Sequence, residues 1–158
     1  MSSARWIARP LTLAALLLCV AVPPAARASN FDEVVLDDAT LTQLETRAQT
    51  AQPREQCFLY AELVHNLTER AGSQLSKGET AEASATLRRI DSLAQKIHMS
   101  LARDTRRLKN AELLMEHTTR RLGDMLHVSS GDDRATLQST LKQLDSVQNE
   151  LLAQVFVH

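Results

Sequence analysis

The sequence predicts an all-α fold, an elongated antiparallel helical bundle with one long central helix and coiled-coil-like packing. After the first 28 residues, few residues break helices: the only proline is Pro53, and the only glycines are Gly72, Gly78, Gly123 and Gly131. Aromatic residues make up 3% of the chain, so the core must consist mainly of Leu, Ala, Val and Met. Apolar residues also recur at intervals of three and four in the second half of the chain, as in helices packed on helices.

Residues 1–28 have the pattern of a secretory signal peptide. Two arginines precede an apolar run, Leu11–Val22, which is too short to span a bilayer comfortably. The sequence Ala26-Arg27-Ala28 follows, an A-x-A pattern after which a signal peptidase would cut. We therefore predict an exported mature chain that begins near Ser29, is periplasmic or secreted if the host is bacterial, and has no transmembrane segment.

The charge of the mature chain argues against nucleic acid as a partner. Without the three arginines of the signal peptide, 15 basic residues remain against 19 acidic ones. Such a mildly acidic chain lacks the overall positive charge that attracts a phosphate backbone.

The mature chain is predicted to start with a flexible lead-in, residues 29–38, followed by a single helical-bundle domain, residues 39–158. Asp38 is suited to cap a first short helix over about 39–51. Pro53 is suited to the first turn of a second helix, because its fixed φ matches the helix and its missing N–H is not needed there. That helix should end near Ser76.

No strong helix breaker occurs between Glu79 and about His127, so this stretch predicts one continuous third helix. At 1.5 Å per residue such a helix would be roughly 73 Å long. A fourth helix, about 132–157, should fold back against it after a short turn. The third and fourth helices each have an apolar seam that is interrupted by one polar residue, Asp104 in the third helix and Gln148 in the fourth.

Two Glu/Asp-x-x-His segments in the sequence raise the question of a metal site. Glu62 and His65 have the spacing that di-iron helical bundles use, and Asp124 and His127 repeat it. At 100° per residue, however, both acidic side chains point away from the predicted core. We therefore expect no metal, no cofactor and no catalytic residue, with Glu62, His65 and Glu69 forming a solvated surface pairing.

Positive charge is densest in one short segment of the mature chain, which could contact an anionic surface or an acidic protein. Its four members are Arg103, Arg106, Arg107 and Lys109. The alternative interpretation is an ordinary solvated face.

Cys57 is the only cysteine that the mature chain keeps, because Cys19 leaves with the signal peptide. An unpaired cysteine in an exported chain could form an intermolecular disulfide. It could equally be a small buried hydrophobic residue.

Taken together, these patterns predict an exported, non-enzymatic protein that binds another macromolecule through a helix face or associates with itself, for example as a homodimer. The alternative is a small periplasmic metal-responsive or stress-sensing protein. Its candidate ligands are His65, His98, His117 and His127.

Overall fold

The computed structural model describes residues 35–101 and 106–156. These residues form five helices that pack against one another, and they contain no strand, which confirms the all-α prediction. The helices are α1 (Asp38–Thr50), α2 (Pro53–Ser76), α3 (Thr80–Ser100), α4 (Leu108–Val128) and α5 (Asp132–Val155). The predicted signal peptide and most of the lead-in lie outside the described residues.

The helix ends follow from local chemistry. Asp37, one residue before the predicted cap, begins α1 by accepting a hydrogen bond from the backbone N–H of Thr40 at 2.8 Å. Pro53 occupies the first turn of α2, as predicted. Gly78 follows α2 with φ of 76°, a left-handed conformation that glycine adopts without steric cost.

The prediction of one continuous helix over 79–127 is wrong, because α3 ends at Ser100 and α4 begins only at Leu108. The length of the neighbouring helices gives the physical reason. With 24 residues each, α2 and α5 are about 36 Å long, so at any height only one of them could cover an unbroken rod of twice that length. Interrupting the rod lets both halves bury their seams against α2 and α5.

Helices α2 to α5 form a ring of four. Both α2 and α5 pack against α3 and α4, while α1 packs on α2. Contacts between side chains of different helices show which helices run parallel. On one side, His65 of α2 lies beside Thr118 of α4, and Glu69 lies beside Arg121 one turn later, so α2 and α4 are parallel. The short turns after α2 and α4 make α3 and α5 antiparallel to them.

Helix α2 is buried on more of its circumference than one seam allows, because α1, α3 and α4 all contact it. A helical wheel at 100° per residue predicts one apolar stripe on α2, centred on Val64. Phe58, Leu59 and Leu63 are buried in addition to that stripe. The largest fully buried side chains of the core are Leu41, Leu63, Leu67, Leu87, Ile90, Leu93, Ile97, Met115, Leu122, Leu137, Leu144 and Leu151.

The polar position in the α5 seam has a partner. The side-chain oxygen of Gln148 accepts a hydrogen bond from the hydroxyl of Thr119 at 2.9 Å, which ties α5 to α4. The corresponding prediction for Asp104 falls outside the described residues. Among the described helices, none is both long and apolar enough to cross a membrane.

A buried polar pair lies between α3 and α5. Oδ1 of Asp91 and Oγ1 of Thr140 are both buried, and neither has a well-formed hydrogen bond within the described residues. Burial raises the pKa of Asp91, and the nearby Thr140 hydroxyl offsets only part of that rise. The ionised carboxylate is therefore less favourable in the folded state than in the unfolded chain.

Replacing Asp91 with asparagine is expected to raise the free energy of unfolding at pH 7 by at most about 1 kcal/mol, because a neutral amide is cheaper to bury and can donate to Thr140, while solvent screens part of the carboxylate charge. The folded-state pKa is raised, so stability is full below the unfolded value, about 3.9, and is lost as the pH rises through the folded value. The advantage of the asparagine variant should therefore shrink as the pH is lowered towards 4. Urea denaturation at both pH values measures it, and an equal gain at both would contradict this explanation.

Candidate anion-binding pocket

The Glu-x-x-His segment of α2 contributes to packing. Nδ1 of His65, which is half-buried, lies 3.2 Å from the hydroxyl oxygen of Thr118. Glu69 is buried and accepts from Nε of Arg121 at 3.1 Å, so the prediction that this carboxylate is solvated is wrong. The cause is α4, which packs parallel to α2 and covers that face.

The four candidate histidines do not form one cluster: His65 and His117 line a shared surface pocket between α2 and α4, whereas His98 and His127 lie outside it. His98 pairs with Glu150 between α3 and α5, and His117 and His127 are exposed on α4. Within residues 35–101 and 106–156, no group of three or more His, Cys, Asp or Glu side chains is placed to hold a metal ion.

Cys57 lies in the core at 0% exposure. Burial raises the pKa of its thiol to about 12, and a hydrogen bond with Ser100 lowers it only in part. A thiol that stays protonated and covered at neutral pH reacts slowly with an outside sulfur. The structure thus favours the interpretation of Cys57 as a small core residue, and the intermolecular disulfide has no structural support.

The basic segment predicted from the sequence begins α4 and meets the start of α2. The backbone N–H of Arg106 donates to the carbonyl oxygen of Arg54 at 2.8 Å, which anchors the segment to α2. Arg106 and Arg107 are exposed, and so is Lys109, the second residue of α4. Arg103 falls outside the described residues.

These elements enclose a shallow pocket of about 280 Å³. Phe58 and Leu59, which are 6% and 4% exposed, contribute its apolar part. Its full lining is Arg47 from α1, Glu55, Phe58 and Leu59 from α2, and Arg106 and Arg107 from the segment before α4. Three arginines from two separate parts of the chain thus line the same pocket.

One carboxylate balances part of this charge. Oε1 of Glu55 lies 3.8 Å from a guanidinium nitrogen of Arg106, and both side chains are about half exposed. An exposed pair at this distance is worth at most about 1 kcal/mol. Three arginines against one glutamate leave the described lining of the pocket with a net positive charge.

Arg107 is held in an unusual conformation. It is the only non-glycine residue with positive φ among those described, at φ 57° and ψ 27°. The left-handed region costs an L-residue roughly 1–2 kcal/mol. Its guanidinium lies 3.4 Å from the centroid of the Phe58 ring, and such a cation–π contact returns about 0.5–2 kcal/mol. Strained residues of this kind are concentrated at functional sites.

The sequence indicated two of the three arginines of the pocket. Arg106 and Arg107 stood out by local charge density, but Arg47 is a single basic residue in the last turn of α1, an ordinary helix-end placement. Only the tertiary packing of α1 on α2 brings it to the pocket. No signal in the local sequence would have identified it.

Comparison with known proteins adds no relative: no family model, no curated protein and no solved structure matches this chain.

Proposed function

We propose that this chain is an exported, non-enzymatic binding protein, and that it holds an acidic segment of another protein at the arginine pocket. The observation that carries the proposal is that Arg47, Arg106 and Arg107 line one pocket together with Phe58 and Leu59. Arginine is the residue best suited to recognising a carboxylate, because its planar fork can donate two parallel hydrogen bonds.

The size of the pocket supports a macromolecular ligand. Small-molecule sites usually enclose roughly 300–1,000 Å³, and this pocket of about 280 Å³ lies below that range. It has room for one or two side chains of a larger partner. Arginines beside a buried aromatic ring are also the usual composition of an energetic centre in a protein interface.

An acidic protein suits the pocket better than nucleic acid or a membrane surface. The excess of acidic residues in the mature chain would repel a polyphosphate or a densely anionic lipid surface over most of its area. A short acidic segment needs to approach only the one positively charged pocket. Export, which the pattern of residues 1–28 supports, is part of the same proposal.

Binding of labelled peptides tests the function. The chain is expressed with its own leader, and its mass shows whether cleavage occurs after Ala28. Fluorescence anisotropy is then measured with an octapeptide of alternating aspartate and leucine and with its asparagine–leucine counterpart. We expect at least tenfold tighter binding of the acidic peptide, weakened by salt because exposed charges are screened.

Charge reversal locates the site. Arg47→Glu should abolish most of the preference for the acidic peptide, whereas Arg88→Glu on the exposed face of α3 should leave it within about twofold, since both variants change the net charge equally. Equal binding of the two peptides, or equal loss in both variants, would refute the proposed function. Binding to anionic phosphatidylglycerol vesicles but to neither peptide would also refute it, in favour of a lipid surface.

A further inference from the structure

The side chains around the pocket divide its surface into a charged part and an apolar part. Arg107 stacks one face of its guanidinium on Phe58, so the N–H groups along its edge stay directed away from the ring. Arg106 is already paired with Glu55, whereas Arg107 has no ion pair within the described residues. Arg47 and Arg107 are therefore the arginines whose N–H groups are available to bind a ligand.

The apolar part lies directly beside these donors. Phe58 and Leu59 belong to the core and line the pocket only with the 6% and 4% of their surfaces that stay exposed, and Arg107 covers one face of the Phe58 ring. This small apolar surface is already fixed before binding. A ligand carrying only carboxylates would cover this surface without gaining from it. A ligand with an apolar side chain next to a carboxylate would use both parts.

Glu55 limits where a second negative charge can lie. Its carboxylate is half exposed on the rim of the pocket, beside Arg106. A ligand with several acidic groups in a row would place one of them near Glu55, where like charges repel. The pocket therefore disfavours a purely acidic run.

We infer that the pocket selects one carboxylate adjacent to an apolar side chain, with Arg47 and Arg107 binding the carboxylate and the exposed edges of Phe58 and Leu59 contacting the apolar group. This specificity rests on the proposed function and narrows it from acidic segments in general to acidic–apolar pairs. Arg107 has the central role, because its stacked guanidinium contributes to both parts of the pocket.

Four peptides in a common glycine–serine frame test the inference by anisotropy. They carry an Asp–Leu, Asp–Ser, Asn–Leu or Asp–Asp pair at the centre. We expect the Asp–Leu peptide to bind about tenfold tighter than each of the others, which corresponds to about 1.4 kcal/mol. In the Glu55→Gln variant, the affinity for the Asp–Asp peptide should rise several-fold, while the affinity for the Asp–Leu peptide should change little.

Arg107→Gly separates binding from folding. Glycine adopts the left-handed backbone without strain, so losing the stacking contact should leave the melting temperature nearly unchanged. Binding of the Asp–Leu peptide should nevertheless fall about tenfold or more, and Arg107→Lys should fall in between, because lysine keeps the charge but not the planar fork. Arg88→Lys is the matched control and should bind as the unmodified chain does.

Two results would overturn the inference in distinguishable ways. If the Asp–Leu and Asp–Ser peptides bind equally, the pocket recognises charge alone, and the proposed function survives without this specificity. If no peptide of the set or of the alternating series binds, the proposed function fails together with the inference. Unchanged binding in Arg107→Gly would show that the carboxylate lies elsewhere, and this too would overturn the assignment.

Discussion

Replacing Leu63 with alanine is expected to lower the free energy of unfolding by about 2–5 kcal/mol, the range for a fully buried leucine in a tightly packed core. Leu63 is 0% exposed and lies in the middle of α2. Because α1, α3 and α4 all pack against α2, the surrounding helices have little freedom to close the cavity. Urea denaturation followed by circular dichroism measures the loss as a shift of the midpoint at constant slope.

Leu113→Ala is the matched control. Leu113 is also a helical leucine, but it lies on α4 with 44% of its surface exposed. Its replacement should change the free energy of unfolding by no more than about 0.5 kcal/mol. Similar losses for the two variants would mean that α2 is not enclosed on three sides as the structure shows.

Leu63 also shows where reasoning from helix periodicity stops. A helical wheel identifies the face that is most apolar, and for α2 it gives a stripe around Val64 that leaves Phe58 outside it. It does not reveal how many neighbours a helix has. The burial of Phe58, Leu59 and Leu63 follows from the packing of α1, α3 and α4 around α2, which depends on contacts between residues far apart in the sequence.

The break between α3 and α4 is the main feature of the fold that the sequence does not predict. The segment from Leu101 to Arg107 contains no proline or glycine, so helix propensity alone predicts a continuous rod. A second signal was nevertheless present. The segment TLRRIDSL at 86–93 recurs as TLKQLDSV at 140–147, one in α3 and the other in α5. Two related helices are more readily explained by two similar hairpins, α2–α3 and α4–α5, than by one long rod.

The candidate pocket was predictable only in part, for a similar reason. Charge density along the chain indicated Arg106 and Arg107, since neighbouring charges can be read directly from the sequence. The contribution of Phe58 needed the start of α4 to lie beside the start of α2, and that of Arg47 needed α1 to fold back on α2. A site that is assembled from distant segments can be identified only when the tertiary packing of the helices is known.

Replacing Arg121 with alanine is also expected to lower the free energy of unfolding. The side chain of Glu69 is 8% exposed, and Nε of Arg121 donates to its Oε2 at 3.1 Å. Arg121→Ala would leave this carboxylate buried without its charged donor, a change that costs about 1–3 kcal/mol for a buried acceptor. The exposed half of Arg121 lets water reach the site, so the loss should stay below the 3–5 kcal/mol of a fully enclosed pair.

The matched control is Arg120→Ala, one residue earlier on α4. Arg120 pairs with Glu116 four residues away on the same helix, and both side chains are largely exposed. Such a pair contributes about 0.2–0.5 kcal/mol, so its removal should be barely measurable in a urea titration. Equal effects of the two alanine variants would show that the Glu69 pair is no more important than a surface contact.

A double-mutant cycle identifies the origin of the loss. If the loss in Arg121→Ala comes from a stranded charge, then adding Glu69→Gln should restore part of the stability, because a neutral amide is cheaper to bury than a carboxylate without a partner. The double variant should then be more stable than Arg121→Ala alone. If the loss came from the aliphatic stem of the arginine instead, the second substitution would restore nothing, and Glu69 would have no part in joining α2 to α4.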